Sequence, residues 1–334
     1  MNKLMENSTN TILEEFPISE SDISALAFYI ALGCLAILLN SLMLVLIRRC
    51  RIKQVYSVFM SGCGNILLAM AVINFEAQSY VSSVPGSFPK NWTIRDCIIR
   101  APHVSLFLVG YDITMYSTFA LCLERLITFT RMGFHYRILN QRNCCIVCSF
   151  IGIATTLKLA FYWKNAFRHG NVSVSHLCQL RECFGLSYQR AMVGMNFWMS
   201  SFTAVLYLMT LISVYFQRRT SHGQLRNMQL KRECTIMRSI AMILLTNIFS
   251  QILPWSLLYF RLDKRYPAVL RVAVTILDLN WCLTPIMYMT IHPEMQKTLG
   301  KLLPTNCYLP GCGRVFRNST KVSVVYDENL LTAS

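Results

Sequence analysis

Charged side chains are scarce in this sequence. Only 14% of its 334 residues are charged, whereas 54% are hydrophobic. A soluble protein of this length would need far more polar surface, and its apolar residues would not be gathered into long blocks. The composition therefore favours a protein that is embedded in a membrane.

Seven apolar blocks are each close to or longer than the roughly 20 residues that a helix needs to cross about 30 Å of hydrocarbon. They cover residues 24–47, 55–81, 104–123, 144–163, 192–216, 236–260 and 266–291. None shows the alternation of polar and apolar residues that strands of a membrane β-barrel require. The sequence predicts an all-α, polytopic bundle of seven transmembrane helices over residues 24–291, preceded by an extracellular segment, 1–23, and followed by a cytoplasmic tail, 292–334.

A signal peptide is not apparent at the start of the sequence. Residues 1–22 are polar and acidic, without a basic flank and a short apolar core. We expect the first span to serve as its own insertion signal.

Basic residues are concentrated in the loops after the first, third and fifth predicted spans and in the tail. Because cytoplasmic loops carry such an excess of Lys and Arg, we expect the N-terminus outside and the C-terminus inside, in the plasma membrane. The formal charge of +16 then faces anionic inner-leaflet lipid rather than nucleic acid. In this topology the sequons at Asn7, Asn91 and Asn171 lie outside and are expected to be glycosylated, whereas the sequon at Asn318 lies inside.

Catalytic and metal-binding motifs are also missing. The sequence contains no HExxH, Walker or GxSxG motif, and its Cys and His residues show no metal-ligand spacing. We therefore expect neither an enzyme nor a metal or cofactor site. No internal repeat is apparent either, which disfavours a transporter built from inverted halves.

The stretch "HPEMQKTLGKLL" follows the last predicted span. A proline stands in its first turn, and Met295, Leu299 and Leu302 are spaced to share one helical face. We expect a short helix lying on the inner membrane surface. Cys307 and Cys312 follow it and are candidates for palmitoylation.

Two motifs near the inner ends of spans resemble those of rhodopsin-like G-protein-coupled receptors. Glu124-Arg125, in "LCLERLITF", resembles the acid-arginine switch of that family, and "LTPIMY", with Pro285 and Tyr288, resembles its NPxxY motif. Pro254 in "QILPW" stands where the family has its span-six proline. The resemblance extends from the first span to the surface helix, where Asn40 in "LLNSLMLV" matches the span-one asparagine.

The sequence also departs from that family. Asn65 replaces the sodium-binding aspartate, Thr284 replaces the asparagine of NPxxY, and Ile252 replaces the span-six tryptophan. Lys158 lies in a fourth span that lacks a central tryptophan. Together with "ALCLERLITF" and the following "HYR", this pattern is most similar to nematode chemosensory receptors of the Sra and Srab type.

The resemblance implies a bistable helix bundle. Glu124 would restrain Arg125 at rest, and an extracellular ligand would favour a second packing in which span six tilts about Pro254 and Tyr288 turns inward to admit a heterotrimeric G protein. A chemosensory receptor, located in sensory cilia, is the favoured interpretation. The alternatives are a peptide or amine receptor of the same fold and, from another class, a transporter or channel.

Polar residues within the predicted spans are candidates for function. One group is expected to form an interior network: Asn40, Asn65, Asp278 and Asn280. A second group is better placed for ligand: His103, Tyr111, Asp112 and Lys158. Lys158 has two acids with which to pair, Asp112 and Asp278.

The family resemblance also implies a disulfide at the outer end of span three. Cys97 would bond to Cys178 or to Cys183 in the second outer loop, in an oxidising compartment. In a third alternative, Cys178 and Cys183 bond to each other and leave Cys97 free.

Overall fold

The computed structural model describes residues 20–50, 56–82, 92–130, 141–220, 246, 248–260, 267–291 and 293–302. These residues are almost entirely helical, and six helices are long and apolar enough to cross a membrane. The described residues therefore confirm the expectation of an all-α, polytopic membrane protein, with six of the seven predicted spans present as long apolar helices. Residues 236–245 and 247 of the span predicted over 236–260 lie outside the described residues, as do Asn7, Asn91, Asn318, Cys307 and Cys312.

The six long helices are named here by their place among the seven predicted spans. Spans one, two and three are α1 (Glu20–Cys50), α2 (Tyr56–Ser82) and α4 (Pro102–Thr130). Spans four, five and seven are α5 (Gln141–Arg168), α7 (Leu186–Thr220) and α9 (Pro267–Ile291). The described part of span six is a π-helical turn, Ile248–Ile252, followed by α8 (Leu253–Tyr259).

Spans two and three pack against each other more closely than ordinary side chains permit. A Cβ atom on Gly64 would lie 2.4 Å from the Thr114 hydroxyl oxygen, and one on Gly110 would lie 2.7 Å from Leu68 Cγ. Small residues allow helix backbones to approach in this way inside a membrane. Span four, by contrast, exposes large apolar side chains such as Phe150 and Leu157, as expected for a peripheral helix that faces lipid.

A small cap covers the end of the bundle where spans two and three are joined. Strand β1 (Trp92–Thr93) pairs antiparallel with β2 (Ser173–Val174), and the helices α3 (Ile94–Arg100) and α6 (Leu180–Phe184) complete the cap. A disulfide joins Cys97 of α3 to Cys178. We call this the disulfide end of the bundle.

The cap corrects two predicted boundaries. Cys97 lies in the separate helix α3 and not in span three, because Ala101 leaves helical geometry before α4 begins at Pro102. Both predicted spans that flank residues 164–191 are longer than their apolar blocks 144–163 and 192–216, since α5 continues to Arg168 and α7 already begins at Leu186. Helices satisfy their own backbone hydrogen bonds, so they can continue past the end of an apolar block.

The helix predicted after the last span is present as α10 (Pro293–Leu302). Its Met295 is completely buried and packs in one cluster with Met43 of span one and Met289 of span seven, with Leu299 at the edge of that cluster. The predicted apolar face therefore packs against the bundle at the end opposite the disulfide. Whether α10 also lies on a membrane surface stays a prediction.

Candidate functional site

A hydrogen-bonded asparagine network connects four spans in the middle of the bundle. Asn40 donates to the carbonyl of Ala36 at 2.8 Å and to that of Trp281 at 2.9 Å. Asn65 donates to Asn40 Oδ1 at 3.2 Å, and Thr114 donates to Asn65 Oδ1 at 3.4 Å. Because each of these side chains is buried, their hydrogen bonds fix the packing of spans one, two, three and seven.

The four residues expected to form one network do not all belong to it. Asn280 accepts from Ser250 at 2.6 Å and from Thr284 at 3.3 Å, so it connects span seven to the π-helical turn of span six. Asp278 Oδ2 is buried and has no hydrogen-bond partner among the described residues. The two residues are only two positions apart in sequence, but on a helix their side chains point in different directions.

A small polar cavity lies between spans two, three, six and seven. Most of its lining is made of hydroxyl and amide side chains, including Ser57, Ser61, Ser117, Thr118, Gln251 and Asn280. Tyr288 and Thr284, from the "LTPIMY" motif, line it as well. Such a lining offers ordered water several hydrogen-bond partners, as buried water in proteins requires.

Span six is irregular where it passes this cavity. The π-helical turn Ile248–Ile252 ends immediately before Leu253-Pro254, and Pro254 is buried. Proline has no N–H group and its ring displaces the preceding carbonyl, so a regular helical hydrogen bond is lost at this point. Isolated π-helical turns of this kind are often found at functional positions. Pro285, in contrast, lies inside the continuous helix of span seven.

The Glu124-Arg125 pair lies near the end of span three, opposite the disulfide. Both residues are within the helix Pro102–Thr130, and Glu124 is half-buried. The side chain of Arg125 lies outside the described set. The restraint of Arg125 by Glu124 therefore stays a prediction.

An ion pair joins spans three and four inside the bundle. Lys158 Nζ lies 2.6 Å from Asp112 Oδ1, and the side chains are 19% and 9% exposed. The ammonium group also lies 3.8 Å from the sulfur of Met195 and 5.8 Å from the centre of the Tyr162 ring. Of the two acids available to Lys158, the structure therefore selects Asp112.

The ligand candidates inferred from the sequence occupy separate places. His103 is almost completely buried under the cap, edge-to-face with Phe75 at 5.3 Å and close to the backbone of Leu177 and Cys178. Along the helix it is about 12 Å from Tyr111. Tyr111 and Asp112 are adjacent in sequence, but Tyr111 faces spans six and seven whereas Asp112 faces span four.

Tyr111 belongs to an aromatic cluster that the sequence reasoning missed. Its ring lies 5.6 Å from Trp255 of span six and 6.5 Å from Trp281 of span seven, both edge-on, and it stacks on Phe107 at 6.1 Å. Trp255 directly follows Pro254, whereas the family resemblance places Ile252 at the span-six tryptophan position. The available signal was the tryptophan in "QILPW" itself.

Two acids lie near this cluster. Asp278 is only 4% exposed, and it lies within electrostatic range of the Tyr111 hydroxyl and of the half-buried Glu76 on span two. Glu76 was not singled out from the sequence, although a carboxylate inside an apolar block is itself a signal.

The disulfide end holds a bridge and a third cysteine. Among the alternatives raised by the sequence, the structure contains the Cys97–Cys178 bond, with the two Cα atoms 5.4 Å apart. Cys183 is a free, buried thiol in the same cluster, and burial raises its pKa to about 12. In the cap, hydrogen bonds that Thr93 donates to the Asp96 carboxylate lower the pKa of Asp96. The Asp96 backbone N–H donates to the Thr93 hydroxyl in return, which completes a capping box at the start of α3.

Compared with known proteins, the chain matches no protein-family model and no curated protein at a significant level of similarity.

Proposed function

We propose that this chain is a seven-helix receptor that detects an extracellular ligand and activates a heterotrimeric G protein. In this proposal it lies in the plasma membrane with its N-terminus outside. A chemosensory role, with location in sensory cilia, is the favoured form. The observation that carries the proposal is the contact of the irregular segment of span six with span seven beside the polar cavity. We call this contact the junction of spans six and seven.

That junction has the properties of a hinge. The π-helical turn and Pro254 remove regular backbone hydrogen bonds from span six, and the Ser250–Asn280 contact at 2.6 Å is a side-chain bond across to span seven. The adjoining cavity has hydroxyl groups that can bond to water instead. Two packings of span six that differ in these bonds would differ by only a few kcal/mol, which is the range that a ligand can overcome.

Contacts at the end of the bundle opposite the disulfide support the part of the proposal that concerns G-protein activation. Tyr288 lines the cavity and packs at the cluster that contains Met43, Met289 and Met295. Movement of span six would therefore change the surroundings of Tyr288 near the Glu124-Arg125 pair. In the proposed mechanism Arg125 is then released from Glu124 and contacts the G protein.

The G-protein switch can be tested without a known ligand. The full-length chain is expressed with a panel of heterotrimeric G proteins, and nucleotide exchange is measured per receptor at the cell surface. Glu124→Gln removes one charge of the proposed restraint, so basal exchange should rise. If the restraint contributes about 1–2 kcal/mol, the ratio of active to resting receptor rises roughly 5- to 30-fold.

The double variant Glu124→Gln/Arg125→Ala provides the decisive comparison. It should reach the surface but lose the raised exchange, because Arg125 is the proposed contact to the G protein. The matched control is Glu124→Gln/Arg49→Ala, which removes another basic residue near the same end of the bundle and should keep the raised exchange. If the double variant signals as strongly as Glu124→Gln, the receptor mechanism proposed for this chain is wrong.

A cation transporter is the second candidate function. The observation that favours it is the approach of two carboxylates, Glu76 and Asp278, from different spans inside the bundle. A transporter moves substrate in vesicles that contain no G protein. Flux that persists in Arg125→Ala, together with no nucleotide exchange from any variant, would favour the transporter over the receptor.

A further inference from the structure

Asp278 is a buried acid that has no ion-pair partner within the described part of the chain. The two ion pairs found there are Arg100–Asp96 in the cap and Lys158–Asp112 between spans three and four. Asp278 is 4% exposed, and its Oδ2 atom is buried with no hydrogen-bond partner among the described residues. A carboxylate that ionises inside a bundle without a counter-charge costs several kcal/mol, so a bound cation would stabilise the charged form of Asp278.

Glu76 makes the same region more negative. Asp278 lies about 16 Å along span seven from Pro267, and Glu76 lies about 9 Å along span two from Ser82. Both acids are therefore in the half of the bundle near the disulfide, within electrostatic range of each other. Two acids without a paired base attract a cation more strongly than either acid alone.

Aromatic rings beside Asp278 indicate the chemical class of that cation. The ring of Tyr111 makes edge-on contacts with Trp255 and Trp281, and its hydroxyl lies within electrostatic range of Asp278. Tryptophan and tyrosine rings attract organic ammonium groups by cation–π interaction. Metal ions prefer several oxygen ligands instead, and the described residues contain no group of three or more His, Cys, Asp or Glu side chains that could hold a metal ion.

We propose that Asp278 and Glu76, with the rings of Tyr111, Trp255 and Trp281, bind the ammonium group of an organic cation. The inference rests on the proposed function, because it names the ligand class of that receptor. Trp255 adjoins Pro254, so a cation that displaces its ring acts directly on the bend of span six.

The test uses purified full-length protein in detergent and its thermal unfolding midpoint, Tm. The probes are choline and phenethylammonium, each at up to 10 mM, and the controls are their uncharged analogues 3,3-dimethyl-1-butanol and 2-phenylethanol. A ligand that binds only the folded protein raises Tm with its concentration. At least one cation should raise Tm by several degrees, and the two alcohols should not.

Asp278→Asn should abolish this rise, and Glu76→Gln should weaken the apparent affinity at least tenfold. Because Glu76 is less buried than Asp278, its variant keeps the proposal testable if Asp278→Asn does not fold. Asp96→Asn changes an acid in the cap and should keep the full response. A rise of equal size with the alcohols, no rise with either cation, or a full response in both Asp278→Asn and Glu76→Gln would each overturn the proposal.

The measurement contains no G protein, so the two proposals can fail separately. Cation binding that depends on Asp278, without any Arg125-dependent exchange, would leave the site standing and refute the receptor. Arg125-dependent exchange without cation binding would refute only this site.

Discussion

The Asp112–Lys158 ion pair gives a quantitative test of how the bundle is held together. Asp112→Asn keeps the size of the side chain but removes the charge that faces the Lys158 ammonium group at 2.6 Å. Two contacts then remain near that ammonium group, the sulfur of Met195 at 3.8 Å and the ring of Tyr162 at 5.8 Å. Neither can replace a carboxylate, so the change leaves a largely buried ammonium group without a counter-charge.

The expected cost follows from the burial of the pair. Removing one partner of a buried ion pair costs about 3–5 kcal/mol. The Lys158 and Asp112 side chains are 19% and 9% exposed, so the pair is not fully buried. The remaining contact of Lys158 with the Tyr162 ring offsets about 0.5–1 kcal/mol of the loss. We therefore expect a cost near the lower end of that range, about 3 kcal/mol. At roughly 2–4 °C per kcal/mol, Tm should fall by about 6–12 °C.

Thermal stability can be followed on the detergent-solubilised full-length chain, by heating aliquots and measuring the fraction that remains monodisperse in size-exclusion chromatography. The double variant Asp112→Leu/Lys158→Met should recover most of the lost Tm, since replacing both charges removes the uncompensated ammonium group. Arg100→Gln, which breaks the exposed pair with Asp96, is the control and should change Tm little. A Tm for Asp112→Asn within 1 °C of the parent would refute the reasoning.

Two further predictions concern the packing of spans two and three and the cap. Gly64→Ala should destabilise the bundle by about 1–3 kcal/mol, because its Cβ would lie 2.4 Å from the Thr114 hydroxyl oxygen and 3.1 Å from the Gly110 carbonyl oxygen. The control is Gly152→Ala, whose Cβ meets nothing within 4 Å and which should not lower Tm. Equal Tm values for the two variants would contradict the close packing of spans two and three. The Cys97–Cys178 bond joins residues that are 81 positions apart in the chain. Replacing both cysteines by alanine should lower the free energy of unfolding by about 2–4 kcal/mol. Cys183→Ala should keep the bridge, as mass spectrometry of the non-reduced protein can show.

Sequence reasoning predicted best those features that depend on local composition. The spans one to five and seven appear as long apolar helices, and Met295 and Leu299 share the predicted face of α10. The predictions that were wrong concern the residues at which helices begin and end. The separate helix α3, which carries Cys97, is set by the capping box of Thr93 and Asp96 and by β-pairing with a distant loop, and hydropathy does not report either one.

The candidate site was predicted only in part, for a similar reason. A polar residue inside an apolar block stands out in the sequence, so Asn40, Asn65, Asp112 and Lys158 could be identified there. The partner of each polar side chain depends on the rotation of its helix. Asp278 and Asn280 therefore have different surroundings although both lie in "DLN". In the same way, the contact between the rings of Trp255 and Tyr111 depends on how spans three and six pack.

The sequence by itself determined that this protein is helical and membrane-embedded, because the length and apolarity of a segment decide whether a helix can cross a bilayer. Only the tertiary structure decided that Lys158 pairs with Asp112, that Cys97 bonds to Cys178, and that Asp278 is left beside Glu76 and an aromatic cluster. The physical reason is that these contacts join residues far apart in the chain. Helix packing, with the close approach of spans two and three at Gly64 and Gly110, selects one set of partners from several that the sequence allows.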